Sequence, residues 1–144
     1  MNPLLSVRNL HKSFMVSSGR PGTTKAALLA VDGISFDIFP GETLGLVGES
    51  GCGKSTTGKL IMRLLEPDAG SISFLDQPLL ELSKSQLLAA RRNLQMIFQD
   101  PFSSLNPRMK IGEIVGEPLK IHRLVEPGKM RLQVTELLQT VGLS

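Results

Sequence analysis

The sequence predicts an α/β fold, on three observations. Leu44, Leu46 and Val47, with Gly45 among them, form a short apolar run that leads into the glycine-rich stretch Gly48-Glu49-Ser50-Gly51-Cys52-Gly53-Lys54-Ser55. Leu60, Ile61, Leu64 and Leu65 follow it at helical spacing. Ahead of this strand–loop–helix unit, Leu5 and Val7 alternate with Ser6 and Arg8 as the two faces of a strand do. Towards the other end, Met130, Val134, Leu137, Leu138 and Val141 fall on one face of a helix.

In chain order, residues 4–14 read as a strand and 17–25 as a polar, turn-rich loop. Residues 28–39 hold two further strands, one around Val31 and one around Ile34, Phe36 and Ile38. Pro40-Gly41 turns the chain into a strand over 43–47, apolar enough for burial on both faces. A helix over 56–65 is stopped by Pro67-Asp68-Ala69-Gly70. Residues 71–74 make a short edge strand, with Asp76-Gln77-Pro78 leading out of it. Ser83-Lys84-Ser85-Gln86 has capping-box spacing and starts another helix, with Arg91 and Arg92 at its C-terminal end, where the dipole favours cations. A strand over 94–98 ends at Gln99-Asp100-Pro101. Residues 103–107 form a loop and 111–115 a short segment. Pro118 and Pro127-Gly128 punctuate a looser stretch before the last helix, which runs out at Gly142.

The glycine-rich stretch fits G-x-x-x-x-G-K-[ST], a phosphate-binding loop, in the strand-to-helix context that the motif requires. Gly48, Gly51 and Gly53 tolerate positive φ and allow backbone to approach phosphate oxygens. Successive amides then form an anion nest at the positive end of the helix dipole. In such a loop Lys54 reaches the β- and γ-phosphates and the Ser55 hydroxyl holds Mg²⁺. The plainer alternative is a glycine-rich turn with a solvated lysine.

The chain of 144 residues suffices for one ordinary domain, and its 41% hydrophobic and 20% charged content is that of a soluble globular chain. No apolar run reaches membrane-spanning length, and Met1-Asn2-Pro3 opens no signal-peptide pattern. Cys52 is the only cysteine, which excludes an intramolecular disulfide and favours a reducing compartment. The net charge of +3 is modest, and the basic residues are scattered without Tyr or Trp among them, so nucleic acid is not an expected partner. His11 and His122 lack partners at ligand spacing.

The glycine loop, the Pro-Asp-Ala-Gly turn and Met96-Ile97-Phe98-Gln99-Asp100-Pro101 together resemble the ATP-binding subunit of an ABC transporter, over essentially the whole chain. The longer run from Phe98 through Phe102-Ser103-Ser104-Leu105-Asn106-Pro107-Arg108-Met109, with Glu117-Pro118-Leu119 after it, is similar to the oligopeptide, dipeptide and nickel importer branch. A small-molecule kinase, another P-loop enzyme, has no need of that run.

The resemblance implies a P-loop core with an antiparallel N-terminal β section over about residues 1–100, then the Q-loop and the start of a helical subdomain over about 101–144. Gly48, Glu49, Ser50, Gly51, Cys52, Gly53, Lys54, Ser55 and Thr56 would bind ATP, with Phe14 at the position of the adenine-stacking aromatic. Lys54 and Gln99 would be the catalytic residues, and Ser55 and Gln99 would ligand Mg²⁺. Implied partners are transmembrane permease subunits and a second ATP-binding subunit, the same or different, at the cytoplasmic face of the inner membrane. The family's Leu-Ser-Gly-Gly-Gln signature would begin at about Ser144, and its Walker B carboxylates and switch histidine do not occur. The resemblance thus implies the front part of an energy-coupling ATPase, inactive alone; the alternative is a truncated, non-catalytic nucleotide-binding module.

Overall fold

The computed structural model describes residues 2–16, 26–100 and 105–143. The expected loops at 17–25 and 103–104 lie outside the described residues. The chain divides into two compact units, Met1–Leu87 and Leu88–Ser144.

The first unit is built on an antiparallel sheet. Strands β1 (Leu5–Val16), β2 (Ala26–Ile38), β3 (Ala69–Phe74) and β4 (Gln77–Pro78) stand in the order β2-β1-β3-β4. The central strand, β1, pairs Leu5 with Ile38 on one side and with Phe74 on the other. Leu5, Val7 and Leu10 are buried together with Val31, Ile72, Phe74 and Leu79. The step from Val7 to Leu10 breaks strict alternation because β1 carries an extra residue there, opposite both neighbours. Asn9 adopts φ 45°, a left-handed conformation that asparagine tolerates, and its amide donates to the Ser35 hydroxyl at 2.8 Å.

Residues 26–38 form one strand where the sequence predicts two. Irregularities in register between Leu10 and Lys12 and between Lys12 and Ser13 place extra residues on β2, around Gly33 (φ 63°) and Ala30. These bulges bend the strand without ending the ladder. Residues 71–74 belong to β3, which lies inside the sheet; the edge is the two-residue β4. Leu75 and Asp76 join them, both at positive φ (50° and 60°) as a two-residue hairpin turn needs.

Helix α1 (Lys54–Ile61) buries Thr57 and Leu60 and ends earlier than predicted, well before Pro67. Its stop is Arg63 at φ 48°, with Leu64 N–H on Lys59 O at 2.8 Å and Arg63 N–H on Leu60 O at 2.9 Å, a Schellman motif. Arg63 bears the left-handed conformation because its guanidinium is anchored: Nη1 donates to Leu79 O at 3.1 Å and Leu82 O at 2.7 Å, and Nε to Glu66 Oε1 at 3.0 Å. Helix α2 (Lys84–Ala90) starts as predicted, with Ser83 N–H donating to Gln86 Oε1 at 2.9 Å.

Two predicted strands are not formed. Residues 42–49 belong to no strand, and Val47 is 94% exposed; residues 94–98 are likewise unpaired, with Ile97 93% exposed. A doubly buried strand needs neighbours for both of its rows of amides and carbonyls. Among the described residues nothing pairs with either segment.

In the second unit, α3 (Ile111–Ile121) runs beyond the predicted 111–115 and through Pro118, which therefore does not break the chain. The turn after the proline is closed by His122 N–H on Pro118 O at 3.0 Å. A 3₁₀ turn, Pro127–Lys129, leads into α4 (Met130–Thr140). Gly112 and Gly116 let α3 approach α4 closely: a methyl group on Gly116 would lie 3.4 Å from Val134 Cγ2. Gly142, at φ 80°, caps α4 as predicted.

Candidate functional site

The loop from Gly48 to Gly53 ends against β2. Gly53 is the N-cap of α1 at φ 93°, and a methyl group added to it would collide with the Ala30 carbonyl oxygen. Only glycine serves both demands. No side chain caps α1 and no acid occupies its first turn. The amides of Lys54, Ser55 and Thr56 have no carbonyl further back in the helix to bond, which leaves the positive end of α1 as a site for an anion.

The Lys54 ammonium turns back over the loop, donating to Gly48 O at 2.8 Å and Glu49 O at 2.6 Å, and lies 3.5 Å from Cys52 Sγ. A methyl on Gly48 would come within 2.6 Å of that sulfur, so the loop curls into a cradle too tight for a side chain at that position. Ser55 is exposed at the start of α1, and Thr56 is half-buried beside it. An open cleft of about 370 Å³ adjoins the loop, lined among others by Leu29, Ala30, Val47, Cys52, Lys54 and Thr57.

Phe14 is half-buried on β1, opposite Leu28. It does not line the cleft, although Leu29, the next residue along β2, does. The Lys12 ammonium stands 5.7 Å from the centre of its ring. Gln99 is exposed in the second unit, outside any helix or strand.

Two residues of this region escape sequence reasoning. Thr57 is a buried polar side chain whose Oγ1 donates to Gly53 O at 3.1 Å, bracing the cap of α1. Its only signal is its place three residues after Lys54. Asp68, read as part of a helix stop, has its carboxylate on Lys12 and Ser13 of β1.

Residues 31–144, which hold the whole loop, match the family described as ABC transporter. The chain belongs to the ABC transporter family. Among curated proteins it is 51% identical over 142 residues to the putative oligopeptide transport ATP-binding protein YkfD of Bacillus subtilis, covering 98% of this chain and 41% of that protein. It is 49% identical to the oligopeptide transport ATP-binding protein OppF of the same organism, over 98% of this chain and 45% of OppF. It is also 49% identical to the glutathione import ATP-binding protein GsiA of Escherichia coli K12, over 98% of this chain and 23% of GsiA. The chain thus spans less than half the length of these ABC transporter relatives.

Among solved structures, the dimeric ATP-binding cassette MJ0796 in a post-hydrolysis state, bound to ADP and Pi, aligns with a TM-score of 0.75 at 23% identity, over 97% of this chain and 58% of that one. CbiO1 of Clostridium perfringens, part of a cbiONQ transporter complex, aligns at 0.68 and 24% identity, over 100% and 52%. Both likenesses show the fold of an ABC cassette.

Proposed function

We propose that the chain binds ATP as the energy-coupling subunit of an ABC importer for peptides or similar small solutes, with ATP hydrolysis in the whole protein driving transport. The observation that carries the reading is the cradle itself. Gly53 caps α1 in a conformation and a space closed to other residues, uncapped amides follow it, and the one lysine of the motif lies across the loop. A triphosphate replaces the Gly48 and Glu49 carbonyls as the partner of the Lys54 ammonium.

Gly48 to Thr56 surround the phosphates and Phe14 stacks on the adenine. Among the described residues no three His, Cys, Asp or Glu side chains gather as a metal cage. A hard cation such as Mg²⁺ suits the exposed Ser55 hydroxyl together with phosphate oxygens, where it would neutralise charge on the transferring phosphoryl group. Gln99 is proposed as a second Mg²⁺ ligand or as the group that orients the attacking water, with Lys54 stabilising the phosphoryl charge.

No helix among the described residues is long and apolar enough to cross a membrane. In this reading the subunit sits at the cytoplasmic face of the inner membrane, held by permease subunits and paired with a second ATP-binding subunit. The test is calorimetry with ATP. Lys54→Ala removes a charge-assisted contact and should weaken binding about tenfold or more. Equal affinity in both forms would overturn the reading.

A further inference from the structure

We propose that Asp68 is a positioning residue for recognition of the nucleotide base: its carboxylate clamps Lys12 and Ser13, and through them holds the Phe14 ring ready to stack. The proposal rests on the reading that Phe14 meets the adenine.

The argument starts at the point where β3 leaves β1. Their last pair is His11 with Ala69, and beyond it β1 runs on through Val16 with no β3 partner. The Ser13 amide points to the side that β3 has vacated. Asp68, the residue just before β3, takes over that side. Its own amide donates to His11 O at 2.9 Å. One carboxylate oxygen, Oδ2, accepts from the Ser13 amide at 2.6 Å and the Ser13 hydroxyl at 2.8 Å; the other, Oδ1, accepts from the Lys12 ammonium at 2.7 Å. Charge-assisted bonds of this kind are short and directional.

Two consequences converge on Phe14. The extra residue between the Lys12 and Ser13 pairings lies on β2, so β1 keeps its alternation through Phe14, and the carboxylate grips the two β1 residues that immediately precede the ring. The grip also steers the Lys12 ammonium to 5.7 Å from the Phe14 ring centre, where cation and ring attract. The Lys12 cation is thereby held over the ring, and in the proposal the flat base takes the ring's other face. Asp68 touches no phosphate-loop residue in this arrangement. Its effect belongs to the base end of the ligand alone.

The experiment compares two ligands of the full chain, ATP and inorganic tripolyphosphate, which shares the phosphates and lacks the base. Phe14→Ala should raise the Kd for ATP about tenfold, the scale of one base–aromatic stack, and leave tripolyphosphate within about twofold. Asp68→Asn keeps the shape and removes the charge. It should raise the Kd for ATP about fivefold with the same indifference to tripolyphosphate, and should add little in the Phe14→Ala background. Lys12→Gln should act in the same direction, with Lys12→Arg restoring affinity.

If Phe14→Ala leaves ATP binding unchanged, the stacking reading itself fails. If Phe14→Ala is selective for ATP and Asp68→Asn is silent, stacking stands and the clamp is refuted. If Asp68→Asn weakens both ligands alike, Asp68 supports the fold in general, and the positioning role is wrong. Retained tripolyphosphate binding reports that each variant has folded.

Discussion

Gly53 lies so close to Ala30 that a methyl group on the glycine would overlap the alanine's carbonyl oxygen. The contact joins the start of α1 to a bulge in β2, so an irregularity in the sheet fixes where the phosphate loop ends.

Gly53→Ala should therefore cost about 3 kcal/mol or more of stability, combining a left-handed alanine with a backbone overlap. Gly51 offers the control. It also has positive φ (83°), yet a methyl there meets nothing within 4 Å. Gly51→Ala should cost only about 1 kcal/mol. Urea unfolding of the two variants separates the terms; equal losses would show that the Ala30 contact relaxes away.

At Arg63 the backbone and the side chain pull in opposite directions. Glycine suits φ 48° better, whereas only the guanidinium can reach Leu79 O and Leu82 O. Arg63→Ala loses the bonds and keeps the strain, for a cost of about 2 kcal/mol; Arg63→Gly should recover about 0.5–1 kcal/mol of that. Thermal unfolding of the pair checks the order, and an alanine variant more stable than the glycine would contradict it.

Asp68 gives the fold a pH dependence. The Lys12 ammonium first, then the Ser13 amide and hydroxyl, hold its carboxyl down at about 2. A carboxyl depressed in the folded state stabilises fully above its unfolded value, about 3.9, and that contribution fades as pH falls through the folded one. The chain should thus lose stability between about pH 4 and pH 2 by an amount that Asp68→Asn abolishes. Urea midpoints of both forms at pH 7 and below pH 2 measure it. A gap that fails to close in acid would mean that Asp68 acts through shape, not charge.

Between the last two helices the contact depends on the absence of side chains. Gly116 sits 3.4 Å, by its virtual methyl, from Val134 Cγ2 and 3.7 Å from Met130 Sδ. Gly116→Leu should overpack this seam and cost about 1–3 kcal/mol, while Gly116→Ala, although tight, should be tolerated and recover helix propensity. Circular dichroism melts rank the two.

Features coded within a few residues were legible in the sequence. The phosphate loop, the Ser83 cap, the Gly142 stop and the alternation of Leu5 and Val7 each rest on local chemistry. What could not be read depends on partners distant along the chain. Residues 44–47 carry the composition of a buried strand, but composition cannot supply the neighbour that pairs with it. Arg63 ends α1 where a glycine or proline was expected, because its anchor lies at Leu79 and Leu82. Asp68 looked like turn punctuation, since nothing near it in sequence announces Lys12 and Ser13. Pro118 reads in the sequence as punctuation of a looser stretch, although a helix can close its next turn on the proline's own carbonyl.

The bulge at Asn9 sets the parity of β1. Even-numbered residues beyond it, Leu10, Lys12 and Phe14, share the side that odd-numbered Leu5 and Val7 occupy before it. Were the same residues paired without the bulge, His11 and Ser13 would stand there, and Phe14 would face the other way. The aromatic proposed for the base is thus on its side of the sheet because of a count, fixed five residues upstream. Frame within the strand, as much as side-chain identity, is what selection must keep: losing one residue at Asn9 would only remove the bulge, whereas losing one beyond it, such as His11, would turn Lys12 and Phe14 to the other face while leaving them present in the chain.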